Sequence, residues 1–153
     1  MRENRSIMGF LRENLKENPV IRVEMDFSGA TWQIKESFKT FCGDTYEERI
    51  EISKKAFINA FNKNCKDLSL SDSNGNDQYY IVVKVNNLTR RVSIMRIPPR
   101  IKVEVEGVVM VVENATKATV RTMNFDVMGV EDLAPADRLA HSFDLLGRKF
   151  LRS

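Results

Sequence analysis

The segment from Ile101 to Val112 constrains the fold more than any other part of the chain. Ile101, Val103 and Val105 alternate with Lys102, Glu104 and Glu106, the period-two pattern of a half-buried strand. After Gly107 the pattern changes, because Val108, Val109, Met110, Val111 and Val112 are apolar at every position. Both faces of the strand should be covered there. A strand that passes from one-sided to two-sided burial belongs at the spine of an antiparallel sheet.

Three further segments read as strands. Val20 to Ser28 places Ile21, Val23, Met25 and Phe27 on one face and Arg22, Glu24 and Asp26 on the other. Tyr79 to Leu88 aligns Tyr79, Ile81, Val83 and Val85, and Arg90 to Ile97 either continues it or forms a separate short piece. Pro98 and Pro99, which cannot donate a ladder hydrogen bond, break the chain before the spine strand. Ala118 to Val127 is the last strand, with Met123, Phe125 and Val127 opposite Thr122, Asn124 and Asp126.

The helices show the longer period. Over residues 3–17, Ile7, Met8, Leu11 and Leu15 form one stripe, widened by Phe10, and Asn18 and Pro19 end it. Residues 30–43 carry Trp32, Ile34, Phe38 and Phe41 at irregular spacing and read as an ordered connection laid over the sheet or against a partner. Thr45 and Glu48 suggest a capping box at the start of a helix running to about Asn64, with Ile50, Phe57, Phe61 and Cys65 on one face. The tail helix, capped by Asp132 or Ala134 with Pro135 in its first turn, presents Leu139, Phe143, Leu146 and Phe150, and Gly147 weakens it slightly. The expected class is α+β: a four-stranded, mainly antiparallel sheet with two helices on one face, plus an N-terminal amphipathic helix. Residues 1–18 form the helical arm and residues 19–153 a single domain.

Composition narrows the partners. A chain of 153 residues with 42% hydrophobic and 29% charged residues suits one folded domain. A net charge of +3 is too small by itself to imply nucleic acid. No apolar run approaches the roughly 20 residues of a membrane-spanning helix. The N-terminus shows neither a secretory signal nor an early Cys for a lipid, so the expected location is the cytoplasm or a virion. Cys42 and Cys65 are expected to be two reduced thiols.

Little in the chain announces chemistry. The single histidine, His141, falls off the tail helix's apolar stripe and should sit at the surface. Glu104 and Glu106 share a strand face and could hold a metal, but beside Lys102 they read as a solvated, ion-paired face. The Ser71–Asp77 cluster is a turn that lacks the closing Glu of a calcium loop. No catalytic residue, metal or cofactor is expected. The unusual feature is Arg90, Arg91, Arg96, Arg100 and Lys102, five bases around two prolines within thirteen residues. Such a hairpin could track phosphates, and it slightly resembles the DNA-bending arms of bacterial histone-like proteins. Equally, it could be a hairpin edge protected by charge and proline.

Three pieces together carry a further resemblance: Asp26-Phe27-Ser28-Gly29, Ala56-Phe57-Ile58-Asn59-Ala60-Phe61-Asn62, and Asp137-Arg138-Leu139-Ala140 through Gly147-Arg148-Lys149. Their arrangement is similar to small structural proteins of gut-bacterial tailed phages and their hosts. The element order also resembles that of small envelope assembly lipoproteins, from which the chain departs in having no lipid-bearing Cys. The resemblance implies a part built for contact with other chains. The expected function is a non-enzymatic structural or interaction subunit of a homo-oligomeric assembly, such as a phage virion or head–tail connector component. Ile7, Phe10, Leu11, Trp32, Arg96 and Arg100 are its candidate contacts. On that reading, removing residues 1–18 should leave the fold intact and weaken assembly. The alternative is a nucleic-acid-binding module using Arg90, Arg91, Arg96, Arg100 and Lys102. No membrane is expected.

Overall fold

In the computed structural model, which describes residues 7–16, 18–73, 75, 78–93, 100–130 and 139–153, the Ile101 segment is one of three long strands. The element order is α1 (Ile7–Asn14), β1 (Val20–Asp26), β2 (Thr31–Trp32), β3 (Glu36–Ser37), α2 (Phe38–Cys42), α3 (Tyr46–Asn64), β4 (Ser69–Ser71), β5 (Tyr79–Ser93), β6 (Arg100–Glu113), β7 (Thr119–Val130) and α4 (Ala140–Leu151). Strands β5, β6 and β7 form an antiparallel meander. Along its other edge β5 pairs first with β1 and then, past a bulge at Val85/Asn87, with β2; both pairings are parallel. Strand β1 is also parallel to β4, and β2 is antiparallel to β3.

The expected four-stranded, mainly antiparallel sheet is therefore corrected to a seven-stranded mixed sheet, still within the α+β class. Two physical causes account for the difference. Strands of two or three residues are too short to show alternation. Parallel neighbours need a crossover, here supplied by α3 between β1 and both β4 and β5, and a crossover leaves no local mark on the strand it serves. Strand β6 is the middle of the antiparallel meander, while β5 joins that meander to the parallel strands by pairing with β6 along one edge and with β1 and β2 along the other.

Helices α3 and α4 pack against each other and, with α1, cover one face of the sheet. Fully buried residues from both layers meet there, including Phe57, Phe61, Phe143, Leu146 and Phe150 from the helices and Ile21, Val23, Ile81, Val83, Val109 and Val111 from the strands. A Cβ on Gly147 would lie 2.7 Å from the Phe57 carbonyl oxygen, so the glycine lets α3 and α4 approach closely. Ser142 on α4 is fully buried. It donates to the Val103 carbonyl at 2.9 Å and accepts the Gly129 N–H at 3.1 Å, fastening the helix across β6 and β7.

The motifs behind the sequence resemblance have local structural roles. Asp26 Oδ1 accepts from the Ser28 N–H at 2.9 Å and the Ser28 hydroxyl at 2.6 Å, ending β1 in a turn. These bonds hold the Asp26 carboxyl below its usual range. Asn62 exchanges two hydrogen bonds with the backbone of Leu70, pinning α3 to β4. The capping box is corrected: Thr45 precedes α3 without a side-chain cap bond, because its hydroxyl donates to the Cys42 carbonyl at 2.9 Å. The proposed caps Asp132 and Ala134, with Pro135, lie outside the described residues.

Candidate functional site

The second face of the sheet decides where a partner can sit. The β5–β6 register sets Tyr80 opposite Val112, Val82 opposite Met110 and Lys84 opposite Val108. On β7, Thr122 and Asn124 continue these rows. The described helices all lie on the opposite face, and among the described residues no element packs over this one. Its centre is apolar, with Tyr80, Val82, Val108 and Met110 half-buried and Val112 buried. Its rim is charged, with the Arg22 guanidinium 4.4 Å and the Lys117 Nζ 5.3 Å from the Tyr80 ring centre. Arg22 is itself paired with Glu24.

Farther along the same face the register brings three carboxylates together. Asp126 lies opposite Glu106, and the carboxyl oxygens of Glu104, Glu106 and Asp126 lie within 4.8 Å of one another. Glu104, only 8% exposed, pairs with Arg91 at 2.7 Å. The Asn87 amide donates to Glu106 at 3.4 Å. Partial withdrawal from water, the hydrogen bond to Glu104 and the negative charges of Glu104 and Glu106 push Asp126 up to about 6. The same hydrogen bond, reinforced by Arg91, holds Glu104 below its usual range. A proton shared between Asp126 and Glu104 relieves part of the repulsion among these groups.

A second feature surrounds Trp32. Its ring is stacked on Phe41 at 4.1 Å and 12°. A cleft of about 150 Å³ lies beside this pair, with Phe38, Val103 and Leu139 at its base and Arg49 and Arg90 among its walls. Asn87, 8% exposed, anchors the loop by accepting the Thr31 hydroxyl at 2.7 Å and the Ile34 N–H at 3.0 Å.

The residues singled out from sequence fall in different places. Ile7, Phe10 and Leu11 are buried in this chain's own core, against α4 and β7, so contact with another subunit through them requires α1 to leave that core. Trp32 is half-buried at the cleft. Arg96 lies outside the described residues, and Arg100 is described only as the first backbone position of β6. Arg90 lines the cleft, while Arg91 and Lys102 face each other across β5 and β6 on the carboxylate side. His141 is exposed on α4 and is not one of the clustered carboxylates' partners in the strand register. Sequence reasoning missed Asp126, Asn87 and Arg49. Asp126 and Asn87 depend on cross-strand register, which the lengths of the 113–118 turn and the β5 bulge fix. Arg49 shows no signal except its place in the first turn of α3.

Comparison with known proteins adds little. No family model matches the chain, and no curated protein matches it. Among solved structures, a DUF330 protein of Xanthomonas campestris superimposes with a TM-score of 0.40 at 12% identity, over 67% of this chain and 57% of that one. This chain thus spans little more than half the length of that protein, and so low a score carries no argument about function.

Proposed function

We propose that this chain is a non-enzymatic interaction subunit that docks through the uncovered face of its sheet, with a second copy of itself as partner. The observation that carries this reading is the segment Val108–Val112. Its five apolar residues need cover on both sides, and the described helices cover only one. Tyr80, Val82, Val108 and Met110 supply a flat apolar centre, and Arg22, Glu24, Lys84 and Lys117 a mixed-charge rim, the usual anatomy of a protein–protein contact. The setting implied by the sequence resemblance is a tailed-phage virion or connector.

The nucleic-acid reading draws less support. Arg91 is already paired with Glu104, and three carboxylates flank Arg91 and Lys102 on one face, where a phosphate backbone would be repelled.

Light scattering tests the proposal. The purified chain should run as an oligomer, and Met110→Lys, at a half-exposed position outside the core, should give a folded monomer. A wild-type chain that scatters as one copy at every concentration overturns self-association.

A further inference from the structure

We infer that the second copy lies antiparallel on the open face, with the Lys117 end of each sheet over the Glu106–Asp126 end of the other. This orientation rests on the reading of that face as a self-docking surface. Cross-strand register divides the face into rows. Tyr80, Val112 and Thr119 form the first, Val82, Met110 and Thr122 the second, and Lys84, Val108 and Asn124 the third. Asn87, Glu106 and Asp126 form the fourth. Charge is sorted along these rows. Over the first, Arg22 and Lys117 flank the Tyr80 ring. At the fourth, the carboxylates of Glu106 and Asp126 stand beside that of Glu104. Neighbours cancel part of each end. Glu24 pairs with Arg22, Arg91 with Glu104, and Asp26 lies opposite Lys84 between the ends. Lys102, on the same strand face as Glu104 and Glu106, lies opposite Arg91 toward the outer end of β6. What remains is Lys117 at one end and Glu106 with Asp126 at the other. Lys117 Nζ donates to the neutral Asn114 Oδ1 at 2.9 Å, and Glu106 accepts from the neutral Asn87 amide. Among the described residues no ion pair involves Lys117 or Glu106.

Symmetry leaves two ways to lay this face on its own copy with the strands aligned, as packed sheets prefer. A two-fold axis along the strands sets each row on itself. Lys117 then meets its counterpart, and the two carboxylate clusters crowd into one gap, where like charges repel. An axis across the strands reverses the rows instead. Such a contact is isologous, so where one residue meets another, the same pair forms again on the far side of the axis. Centred on Val109, the reversed pairing sets the Val112 row over the Glu106 row at both ends. Val108 and Met110 then flank the axis, and the apolar centre is shared. Lys117 faces Glu106 and Asp126 twice. Stacked sheets lie about 10 Å apart, a gap that two long charged side chains can bridge.

Charge reversal across the contact tests the orientation. Sedimentation equilibrium at low ionic strength, where such pairs are least screened, gives the dissociation constants. Lys117→Glu and Glu106→Lys should each weaken association by about tenfold or more, since every contact occurs twice and each change sets like charges together. The chain carrying both substitutions should return to within about threefold of the wild type, because the pair is rebuilt with its signs exchanged. Lys117 is exposed in the turn between β6 and β7, so it carries the test alone should Glu106→Lys disturb the sheet. There Lys117→Gln should fall between the wild type and Lys117→Glu. A wild type that associates while Lys117→Glu leaves its dissociation constant unchanged overturns the orientation and leaves docking through this face standing. So does a folded double variant no tighter than either single one. A wild type that stays monomeric at every concentration overturns both.

Discussion

At the scale of single residues, the structure turns two unremarkable positions into informative ones. Asp126 reads as one more polar residue on a strand, yet register places it opposite Glu106, with its carboxyl within 4.8 Å of those of Glu104 and Glu106. Its acidity near 6 lies above the ordinary carboxylate range, so the folded state holds its proton more tightly than the unfolded chain does. That contribution to stability is full below about pH 4 and is lost as pH rises through 6, when the third negative charge appears. Asp126→Asn should therefore melt like the wild type at pH 4 and about 1–3 °C higher at pH 8, as read by a pH series of thermal melts. Gly147 reads as a weak point of the last helix, but its missing side chain is what allows the Phe57 carbonyl to approach. Gly147→Ala would gain helix propensity and still lose about 1–3 kcal/mol in urea unfolding, because the new methyl must force α3 from α4.

At the scale of elements, the amphipathic period identified α1, α3, α4 and the four longer strands, since each depends only on its own residues. What lay beyond reach was relational: which strands pair, in which direction, and over what register. Trp32 and the bases Arg90 and Arg91 were legible as unusual residues, but the cleft that joins Trp32 to Arg49 and Arg90 arises only when β2 is laid beside β5. The N-terminal helix shows the same distinction. Its stripe of Ile7, Met8, Leu11 and Phe10 was evident, and an apolar stripe fits a partner's surface as well as its own core. The structure places all four side chains in the core, with Phe10 edge-on to Tyr79 at 5.3 Å and under the Arg121 guanidinium at 4.4 Å. Removing residues 1–18 should accordingly destabilise the domain rather than merely release a partner. Leu11→Ala, at a position with no exposure, should cost about 2–5 kcal/mol in chemical denaturation. An unchanged midpoint would restore the view of α1 as a detachable arm.

At the scale of the whole molecule, asymmetry between the two faces of the sheet is the property that assembly would resolve. One face meets a continuous layer of Phe, Leu and Ile from three helices, while the other exposes valines, a methionine and a tyrosine within a charged rim. If a second copy covers that rim and centre, folding and association are linked, and stability must depend on how much chain is present. For a two-copy assembly the gain is about 0.7 kcal/mol per chain for each tenfold rise in concentration, or about 1–3 °C in melting temperature. Calorimetry over a hundredfold concentration range should show that climb in the wild type. Met110→Lys should flatten it while leaving the dilute-limit melt nearly unchanged, because the introduced ammonium disturbs the contact and leaves the helix-covered core intact. A wild-type melt independent of concentration would mean that the sheet's open face is tolerated in water, and that the apolar run of β6 serves its own layer alone.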